Sequence, residues 1–346
     1  IQGDIKTVTC LGGYAMTAIT ALTAQNTQGV FGIHPVPTSF LAQQISLVLD
    51  DIGADAIKTG MLHSAEVIET VVDTIGGPSV PLIVDPVMVA SSGAVLLEPA
   101  ALEAMSTRLL PLLDYDLIRA NPKVLLGYSD ITALLNGIHA RTGLVTFHGP
   151  NAGGRWDEYS LDIARRVLFD GEALRLTNPR GSRDENVLTE TEFRRITITP
   201  GRASGRLLGG NLSVLTTLLG SPWMPDFTGA ILFLEDVGEN WYRIDRMLTA
   251  LRLAGVLDKL AGFVFGSCAE CEPGAGFASL TPEEIFADHV GSLGIPAWRG
   301  AMIGHDQPQW TLPVGTSVTI DADAGTLLMN TPGVARGSGS RGNAGG

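Results

Sequence analysis

The chain has 346 residues, 45% of them hydrophobic, and a mean hydropathy of +0.23, which is typical of a compact α/β protein with room for two cores. Its net charge of −13 and isoelectric point of about 4.8 argue against a nucleic-acid partner, since neither half contains a basic stripe. No apolar run reaches the ~18 residues that a membrane span requires, so we expect no membrane partner.

The cysteine content indicates the cellular compartment of the protein. Three cysteines, Cys10, Cys268 and Cys271, are too few for a disulfide framework and favour a reducing cytoplasm. The single pair Cys268-Ala-Glu-Cys271 is interpreted as an ordinary loop after a buried strand rather than as a zinc or redox site. We expect no metal and no other cofactor.

The chain begins at Ile1 without a methionine or a signal peptide, and we expect residues upstream to be missing.

The first third of the chain alternates helical and β patterns at the short intervals typical of a parallel-sheet α/β unit. Apolar residues at helical spacing predict a helix over 39–51, and further helices are predicted over 66–75 and 98–110. Between the last two lies the buried strand Pro81-Leu-Ile-Val-Asp-Pro, which ends in a carboxylate at the edge where α/β sheets bind ligands.

Four motifs in this segment carry a family resemblance: Ile1-Gln-Gly-Asp-Ile-Lys-Thr, Thr17-Ala-Ile-Thr-Ala-Leu-Thr-Ala-Gln-Asn-Thr, Lys58-Thr-Gly-Met-Leu and Val84-Asp-Pro-Val-Met-Val. With them, residues 1–111 resemble hydroxymethylpyrimidine/phosphomethylpyrimidine kinase of thiamine biosynthesis, a ribokinase-like enzyme. The resemblance implies that Asp4 and Gln25 face a pyrimidine. That family's anion hole, catalytic residue and ATP-binding loops lie in a C-terminal half without counterpart here, so we expect no kinase turnover.

Three side chains in the rear two thirds are candidates for nucleophilic catalysis. Ser129 follows an apolar strand and a Gly turn and precedes an amphipathic helix, a position that presents a hydroxyl at the mouth of an α/β sheet. Glu235 closes the apolar strand 230–235, and His305 lies in a loop. Serine needs an imidazole to take its proton, and a carboxylate fixes the tautomer of that imidazole. This order of residues therefore predicts a serine hydrolase.

Each of these residues also suits an ordinary structural role. Ser129 could cap the helix predicted to begin at Asp130, an acid at a strand end is usually an ion-pair member, and a loop histidine is usually solvated. Asp236 and Glu239 are expected in a solvated loop. Ile131 stands where the G-x-S-x-G motif has its second Gly, which argues against an α/β-hydrolase. If Ser129 is the nucleophile, the backbone N–H of Asp130 is the expected oxyanion donor.

Six motifs carry a second resemblance: Leu113-Asp-Tyr-Asp-Leu-Ile-Arg-Ala-Asn-Pro-Lys, Gly127-Tyr-Ser-Asp-Ile-Thr-Ala-Leu, Thr146-Phe-His-Gly-Pro, Gly209-Gly-Asn-Leu-Ser, Leu232-Phe-Leu-Glu-Asp-Val-Gly-Glu and Gly304-His-Asp-Gln. They make residues 112–333 similar to the serine LD-carboxypeptidases, which include muramoyltetrapeptide carboxypeptidase and a microcin-degrading peptidase. The resemblance implies Ser129 as nucleophile, Glu235 as its carboxylate partner and His305 as general base. It also implies release of D-alanine from a murein tetrapeptide and suggests a homodimer.

The string Gly209-Gly-Asn within those motifs is expected to form a tight turn lining the cleft. Gly210 and Asn211 would then contact the substrate, and a plain turn is the alternative.

We predict three parts: a kinase-like fragment over 1–111, an LD-carboxypeptidase-like segment over 112–333, and a disordered Gly/Ser/Arg tail over 334–346. The fold class is α/β, a ribokinase-like parallel-sheet fragment joined to an α/β segment with a β-rich C-terminal domain. The string Arg108-Leu-Leu-Pro, similar in both families, indicates a crossover without a linker. By resemblance, the Gly-rich loop that gives the second oxyanion donor is missing. Three functions stay open: a carboxypeptidase, a pyrimidine-binding module and a non-functional chimera.

Overall fold

The computed structural model describes residues 1–10, 12–26, 30–76, 82–84, 109–150, 156–179, 193–273 and 280–335. They fall into two units, Ile1–Leu117 and Ile118–Gly346. The carboxylate predicted at the end of the strand 81–86, most of the helix predicted over 98–110, and most of the tail predicted over 334–346 lie outside the described residues. The division at residue 111 stays a prediction.

The described part of the front unit contains the helices predicted over 39–51 and 66–75 and two short strand pairs. Its described helices and strands are α1 (Gln2–Cys10), β1 (Ala21–Gln25), β2 (Val30–Pro35), α2 (Thr38–Asp51), β3 (Ile57–Thr59), α3 (Ala65–Ile75) and β4 (Leu82–Val84). Strands β1 and β2 pair antiparallel, whereas β3 and β4 pair in parallel. Helix α3 forms where its apolar spacing predicts because Val67, Ile68, Val71 and Val72 share one buried face. A 3-10 turn spans Leu110–Leu112.

A mixed sheet is the centre of the rear unit. Its middle strands run parallel and are β9 (Arg202–Asn211), β10 (Ile231–Val237), β11 (Gly262–Ala269) and β12 (Ala297–Arg299). Antiparallel strands flank them: β7 (Arg175–Thr177), β14 (Ser317–Asp321) and β15 (Thr326–Met329) on one side and β8 (Ile196–Thr199) on the other. Among the described residues the order is β7-β15-β14-β9-β10-β11-β12-β8.

A smaller sheet leads to the Ser129 turn. Its central strand β6 (Thr146–His148) pairs in parallel with β5 (Leu126–Gly127) and antiparallel with β13 (Leu312–Val314). The apolar strand predicted before Ser129 is therefore two residues long in the structure. Helix α4 (Tyr115–Ala120) spans the boundary between the two units along the chain. The described helices of the rear unit are α5 (Thr132–Thr142), α6 (Glu158–Leu168), α7 (Leu212–Thr217), α8 (Trp241–Leu253) and α9 (Pro282–His289).

The rear core is organised around β10, which is buried at every position from Ile231 to Asp236. An uninterrupted buried run is typical of a central parallel strand with both faces covered, and each fully buried Leu or Ile contributes about 1.5–3 kcal/mol. The α/β class predicted from the sequence is confirmed. Within the described part of the chain, no helix has both the length and the apolar character to cross a membrane.

Candidate active site

The structure brings Ser129, Glu235 and His305 into one chain of hydrogen bonds. Nε2 of His305 lies 3.1 Å from Oγ of Ser129, although 176 positions separate them in the sequence. Nδ1 of the same ring lies 2.9 Å from Oε2 of Glu235. A ring that donates from Nδ1 to the carboxylate can accept at Nε2 from the hydroxyl, which is the arrangement that activates a serine.

The backbone presents Ser129 on a sharp turn. Ser129 has φ = 61°, in the left-handed region, and begins the 3-10 turn Ser129–Ile131 that leads into α5. Such a conformation costs a non-glycine residue about 1–3 kcal/mol and often marks a functional position. Neither helical segment has a side-chain cap hydrogen bond, so the capping role considered for Ser129 is wrong. A Cβ at Gly127 would lie 2.8 Å from Ile131 Cγ1, so Ile131 packs closely over the glycine before the turn.

Burial and charge set the protonation of the imidazole. The Glu235 side chain is 0% exposed and that of His305 is 17% exposed. Burial alone would lower the pKa of His305, but the hydrogen bond and charge of Glu235, with the charges of Asp236 and Asp130, raise it above the ordinary imidazole value. The ring of Tyr128 packs edge-on against that of His305, with centroids 4.9 Å apart. The imidazole is therefore held on two sides.

Asp130 follows the serine and is partly buried. Burial raises the pKa of its carboxyl to about 6, although the neighbouring His305 charge lowers it. Its backbone N–H as an oxyanion donor stays a prediction.

Asp236 corrects a prediction, because it is not in a solvated loop. It lies on β10, is 2% exposed, and accepts hydrogen bonds from Asn211 Nδ2 at 3.1 Å and from the Ser213 hydroxyl at 2.8 Å. Burial and the adjacent charge of Glu235 raise its pKa to about 6. Glu239, expected in the same loop, forms an ion pair with Arg243 at 3.4 Å. The apolar strand that was predicted to end at Glu235 continues through Val237, and this is why Asp236 is buried.

The expected tight turn at Gly209–Asn211 is instead the end of strand β9. Asn211 is the N-cap of α7, and its Oδ1 accepts from the backbone N–H of Val214 at 3.1 Å. Gly210 has φ = 139°, and a Cβ there would lie 2.5 Å from Thr132 Oγ1, so only glycine fits. Substrate contact by Gly210 and Asn211 stays a prediction.

His148 forms a wall of the site. Its ring is buried at the end of β6 and meets the ring of Phe233 edge-on, with centroids 5.1 Å apart. Burial lowers the pKa of His148 to about 4, so the ring is neutral at pH 7. Among the described residues, no cluster of three or more His, Cys, Asp or Glu side chains is arranged to hold a metal ion.

The two residues predicted to face a pyrimidine lie in the front unit. Asp4, on α1, forms an ion pair with Lys58 at 3.0 Å. The hydrogen bond from Lys58 is the main reason that the pKa of Asp4 is below its usual value. Gln25 ends β1 with an exposed side chain. Their binding role stays a prediction.

Cys268 and Cys271 form a disulfide, which corrects the expectation of an ordinary loop. Cys268 is still in strand β11, and Glu270 adopts φ = 56° just after the strand ends. This left-handed residue turns the chain back, so that the two Cα atoms are 5.4 Å apart, within the range that a disulfide requires. Cys10 is an exposed free thiol.

Family comparisons agree with this geometry. The LD-carboxypeptidase N-terminal domain matches residues 104–149, and the LD-carboxypeptidase C-terminal domain matches residues 204–320. The probable murein peptide carboxypeptidase of Bacillus subtilis is 40% identical over 228 residues, which cover 65% of this chain and 68% of that relative. The chain belongs to the LD-carboxypeptidase family. As a family member it is a hydrolase of the serine carboxypeptidase class.

Other members of the LD-carboxypeptidase family give the same result. The microcin self-immunity protein MccF of Escherichia coli is 36% identical over 237 residues, covering 63% of this chain and 68% of MccF. A solved structure of MccF without ligand superimposes with a TM-score of 0.60 at 24% identity, covering 96% of this chain and 90% of that one. A muramoyltetrapeptide carboxypeptidase from Oxalobacter formigenes gives 0.55 at 24% identity, with 78% and 84% covered. These two structural likenesses concern the fold.

The front of the chain has a different origin. Phosphomethylpyrimidine kinase matches residues 1–123, which overlap the carboxypeptidase match over 104–123. The hydroxymethylpyrimidine/phosphomethylpyrimidine kinase of Streptomyces coelicolor is 49% identical over 111 residues, covering 32% of this chain and 41% of the kinase. The chain therefore joins a kinase-type front to an LD-carboxypeptidase rear, as the two resemblances predict.

Proposed function

We propose that this chain is a serine-type LD-carboxypeptidase that hydrolyses the terminal D-alanine from murein tetrapeptide. The observation that carries the proposal is the chain of hydrogen bonds from Ser129 through His305 to Glu235, at 3.1 and 2.9 Å. The name of the Bacillus subtilis relative, a probable murein peptide carboxypeptidase, supports this substrate class.

In this mechanism Ser129 Oγ attacks the carbonyl carbon of the scissile amide while its proton passes to Nε2 of His305. The buried carboxylate of Glu235 stabilises the resulting imidazolium, and the backbone N–H of Asp130 donates to the oxyanion. The C–N bond breaks, D-alanine leaves with the proton from His305, and an acyl-enzyme remains. Water, deprotonated by the same ring, then hydrolyses the ester and restores Ser129.

The proposal extends to the surroundings of the site. Gly210 and Asn211 would contact the bound peptide at the carboxyl end of β9, the edge where α/β sheets bind ligands. The protein would act in the cytoplasm on recycled cell-wall peptides, as a homodimer, with no kinase turnover by the kinase-like segment. The three parts at 1–111, 112–333 and 334–346 belong to the same proposal.

The test is D-alanine release from purified murein tetrapeptide. We expect release by the wild-type chain and loss of release in Ser129→Ala. The matched control is Ser204→Ala, which removes a hydroxyl of β9 that forms an exposed hydrogen bond with Thr319 of β14, at 2.8 Å. The proposal would be refuted if the Ser129 variant released as much D-alanine as the wild type. It would also be refuted if the wild-type chain released none while its circular dichroism spectrum showed that it was folded.

Two further assays separate the alternatives. MccF has been solved with aspartyl sulfamoyl adenosine, so hydrolysis of that compound without hydrolysis of the tetrapeptide would move the substrate class to peptide nucleotides. Calorimetry with hydroxymethylpyrimidine tests the binding module, and no heat at millimolar ligand eliminates it. A folded chain that is inactive in every assay would be the non-functional chimera.

A further inference from the structure

We propose that Ser160 is a positioning residue for His305, and that it acts through Gln309. The inference rests on the proposed function, since it assigns a task to a side chain that supports the same imidazole. Ser160 lies outside the residues that the two LD-carboxypeptidase domains match. The imidazole is carried by residues 303–309, which we call the His305 loop.

The Ser160 hydroxyl is held in one orientation. The residue is in the first turn of α6, is 0% exposed, and its Oγ donates to Asp157 Oδ2 at 2.5 Å. Asp157 is the N-cap of the helix, and its Oδ1 accepts from the backbone N–H of Ser160 at 3.0 Å. Gln307 Oε1 is a second acceptor at 3.3 Å. Because the shorter contact takes the single proton, the oxygen lone pairs are left to accept.

That oxygen accepts the backbone N–H of Gln309 at 2.8 Å, which fixes the end of the His305 loop. Gln309 is 2% exposed, and its side-chain amide donates to the carbonyl oxygen of Gly304. Gly304 directly precedes His305. The hydrogen bonds therefore run from helix α6 through Ser160 and Gln309 to the peptide unit that carries the imidazole.

The start of the His305 loop has little freedom of its own. Gly304 has φ = 131°, and a Cβ there would lie 2.5 Å from Ser267 Oγ on strand β11. The backbone N–H of Ser267 donates to the carbonyl oxygen of Ile303 at 2.8 Å. The loop is thus fixed at one end by β11, and at the other by Ser160 and by the hydrogen bond from the backbone N–H of Trp310 to the carbonyl oxygen of Met302, at 2.7 Å. Loss of the Ser160 contact would release Gln309 and so loosen the peptide unit before His305.

Such movement should lower the rate of catalysis, because the His305 ring must contact both Ser129 and Glu235. A misplacement of about 1 Å commonly costs ~10²-fold in rate. Removing the Ser160 hydroxyl also leaves the buried N–H of Gln309 without its acceptor. Because an unsatisfied buried donor is unfavourable, the loop would move towards solvent so that water can accept from this N–H. Ser160 acts on the imidazole only through the loop backbone, so substrate affinity is expected to change little.

A movement of the ring has a signature that does not depend on substrate. Among the described residues, the titratable groups around His305 are Glu235 and Asp236 on β10, Asp130 on the serine turn, Tyr128 just before it, and His148 on β6. Burial lowers the His305 pKa, but the three carboxyl groups raise it, and the net value is above that of free imidazole. A displaced ring therefore titrates at lower pH, closer to the ordinary value.

The experiment is a pH titration of the histidine ring signals by NMR, with His305→Gln assigning the His305 signal. In Ser160→Ala we expect the His305 midpoint to fall towards the ordinary imidazole value. The control Thr316→Val removes another buried hydroxyl, bonded to the carbonyl oxygen of Pro313 at 2.9 Å, and should leave the midpoint unchanged. An unchanged midpoint in a folded Ser160 variant would overturn the inference.

Turnover of murein tetrapeptide gives the second readout. We expect Ser160→Ala to lower kcat by ~10–100-fold with KM within about twofold, since only positioning is lost. Adding Gln309→Ala should lower kcat little further, because both side chains act on one loop. If the double variant instead lost kcat by the product of the two single-variant factors, the two side chains would act independently and the inference would be contradicted. If the wild-type chain does not turn over, the proposed function fails while the titration still decides the role of Ser160.

A milder variant covers the case in which Ser160→Ala does not fold. Asp157→Asn keeps an acceptor for the helix N-terminus but weakens the partner of the Ser160 proton. The His305 midpoint should shift in the same direction by a smaller amount. A folded Asp157 variant with the wild-type midpoint would refute the proposal.

Discussion

Asp236 accepts a hydrogen bond from the side-chain amide of Asn211 over 3.1 Å, which joins the carboxyl ends of the neighbouring parallel strands β10 and β9. The same carboxylate accepts from the backbone N–H and the hydroxyl of Ser213, at 3.0 and 2.8 Å. Successive strand residues point to opposite faces, so Asp236 faces α7 while Glu235 faces His305. The backbone that presents Glu235 is therefore held by its neighbour.

Removal of the Asp236 carboxylate should destabilise the fold. In Asp236→Ala, the Asn211 amide and both donors of Ser213 lose their acceptor in a buried environment, at about 1–3 kcal/mol for each unsatisfied group. We expect the free energy of unfolding to fall by at least ~3 kcal/mol, measured by guanidinium denaturation. Asp258→Ala, on an exposed turn, should change it by less than ~0.5 kcal/mol. A loss below ~1 kcal/mol for Asp236→Ala would contradict the network.

Replacing the Glu235 carboxylate by an amide should stop turnover while keeping the shape of the site. In Glu235→Gln, the side chain can present its N–H₂ to Nδ1, which favours the tautomer that has its proton on Nε2 and cannot accept from Ser129. Changes of this kind lower kcat by ~10⁴-fold in serine proteases. Kinetics of D-alanine release measure the effect, with Glu172→Gln, in a surface ion pair, as control. A loss under tenfold would show that the carboxylate is not essential.

The pH profile should follow His305, which must be neutral to accept the serine proton. Because its pKa is raised, kcat/KM should be low below that pKa, rise as pH increases through it, and level off above it. Asp130→Asn removes one of the charges that raise the pKa but keeps the backbone N–H, so the acid limb should move to lower pH. Asp258→Asn should leave the limb in place. A shift to higher pH in the Asp130 variant would contradict this assignment.

Thiol labelling tests the disulfide. With Cys268 and Cys271 joined and Cys10 free, the protein unfolded without reductant should take up one equivalent of iodoacetamide. After reduction with dithiothreitol it should take up three, counted by mass spectrometry. Three equivalents before reduction would show that the pair is a dithiol in solution. The variant Cys10→Ser should show none before reduction and two after it.

Local pattern predicted the parts of the site that depend on short-range order. The helix over 38–51 and the buried face of α3 follow from apolar spacing alone. The residue types at 129, 235 and 305 could be selected because hydrolysis requires a nucleophile, a base and an acid. The predicted length of the strand before Ser129 and the predicted turn at 209–211 were wrong. Strand pairing and the Asn211 cap decide where those two strands end, and neither can be read from local pattern.

The sequence by itself determined the α/β class, the two resemblances and the residues capable of the chemistry, since these depend on side-chain type and local periodicity. Only the tertiary structure decided that Asp236 is buried, that Cys268 bonds to Cys271, and that Ser160 supports the loop of His305. Ser160 and Gln309 are 149 positions apart, so no local pattern relates them. Hydrogen bonds between distant residues form because the sheet brings strand ends to one edge, and that juxtaposition is a property of the whole fold.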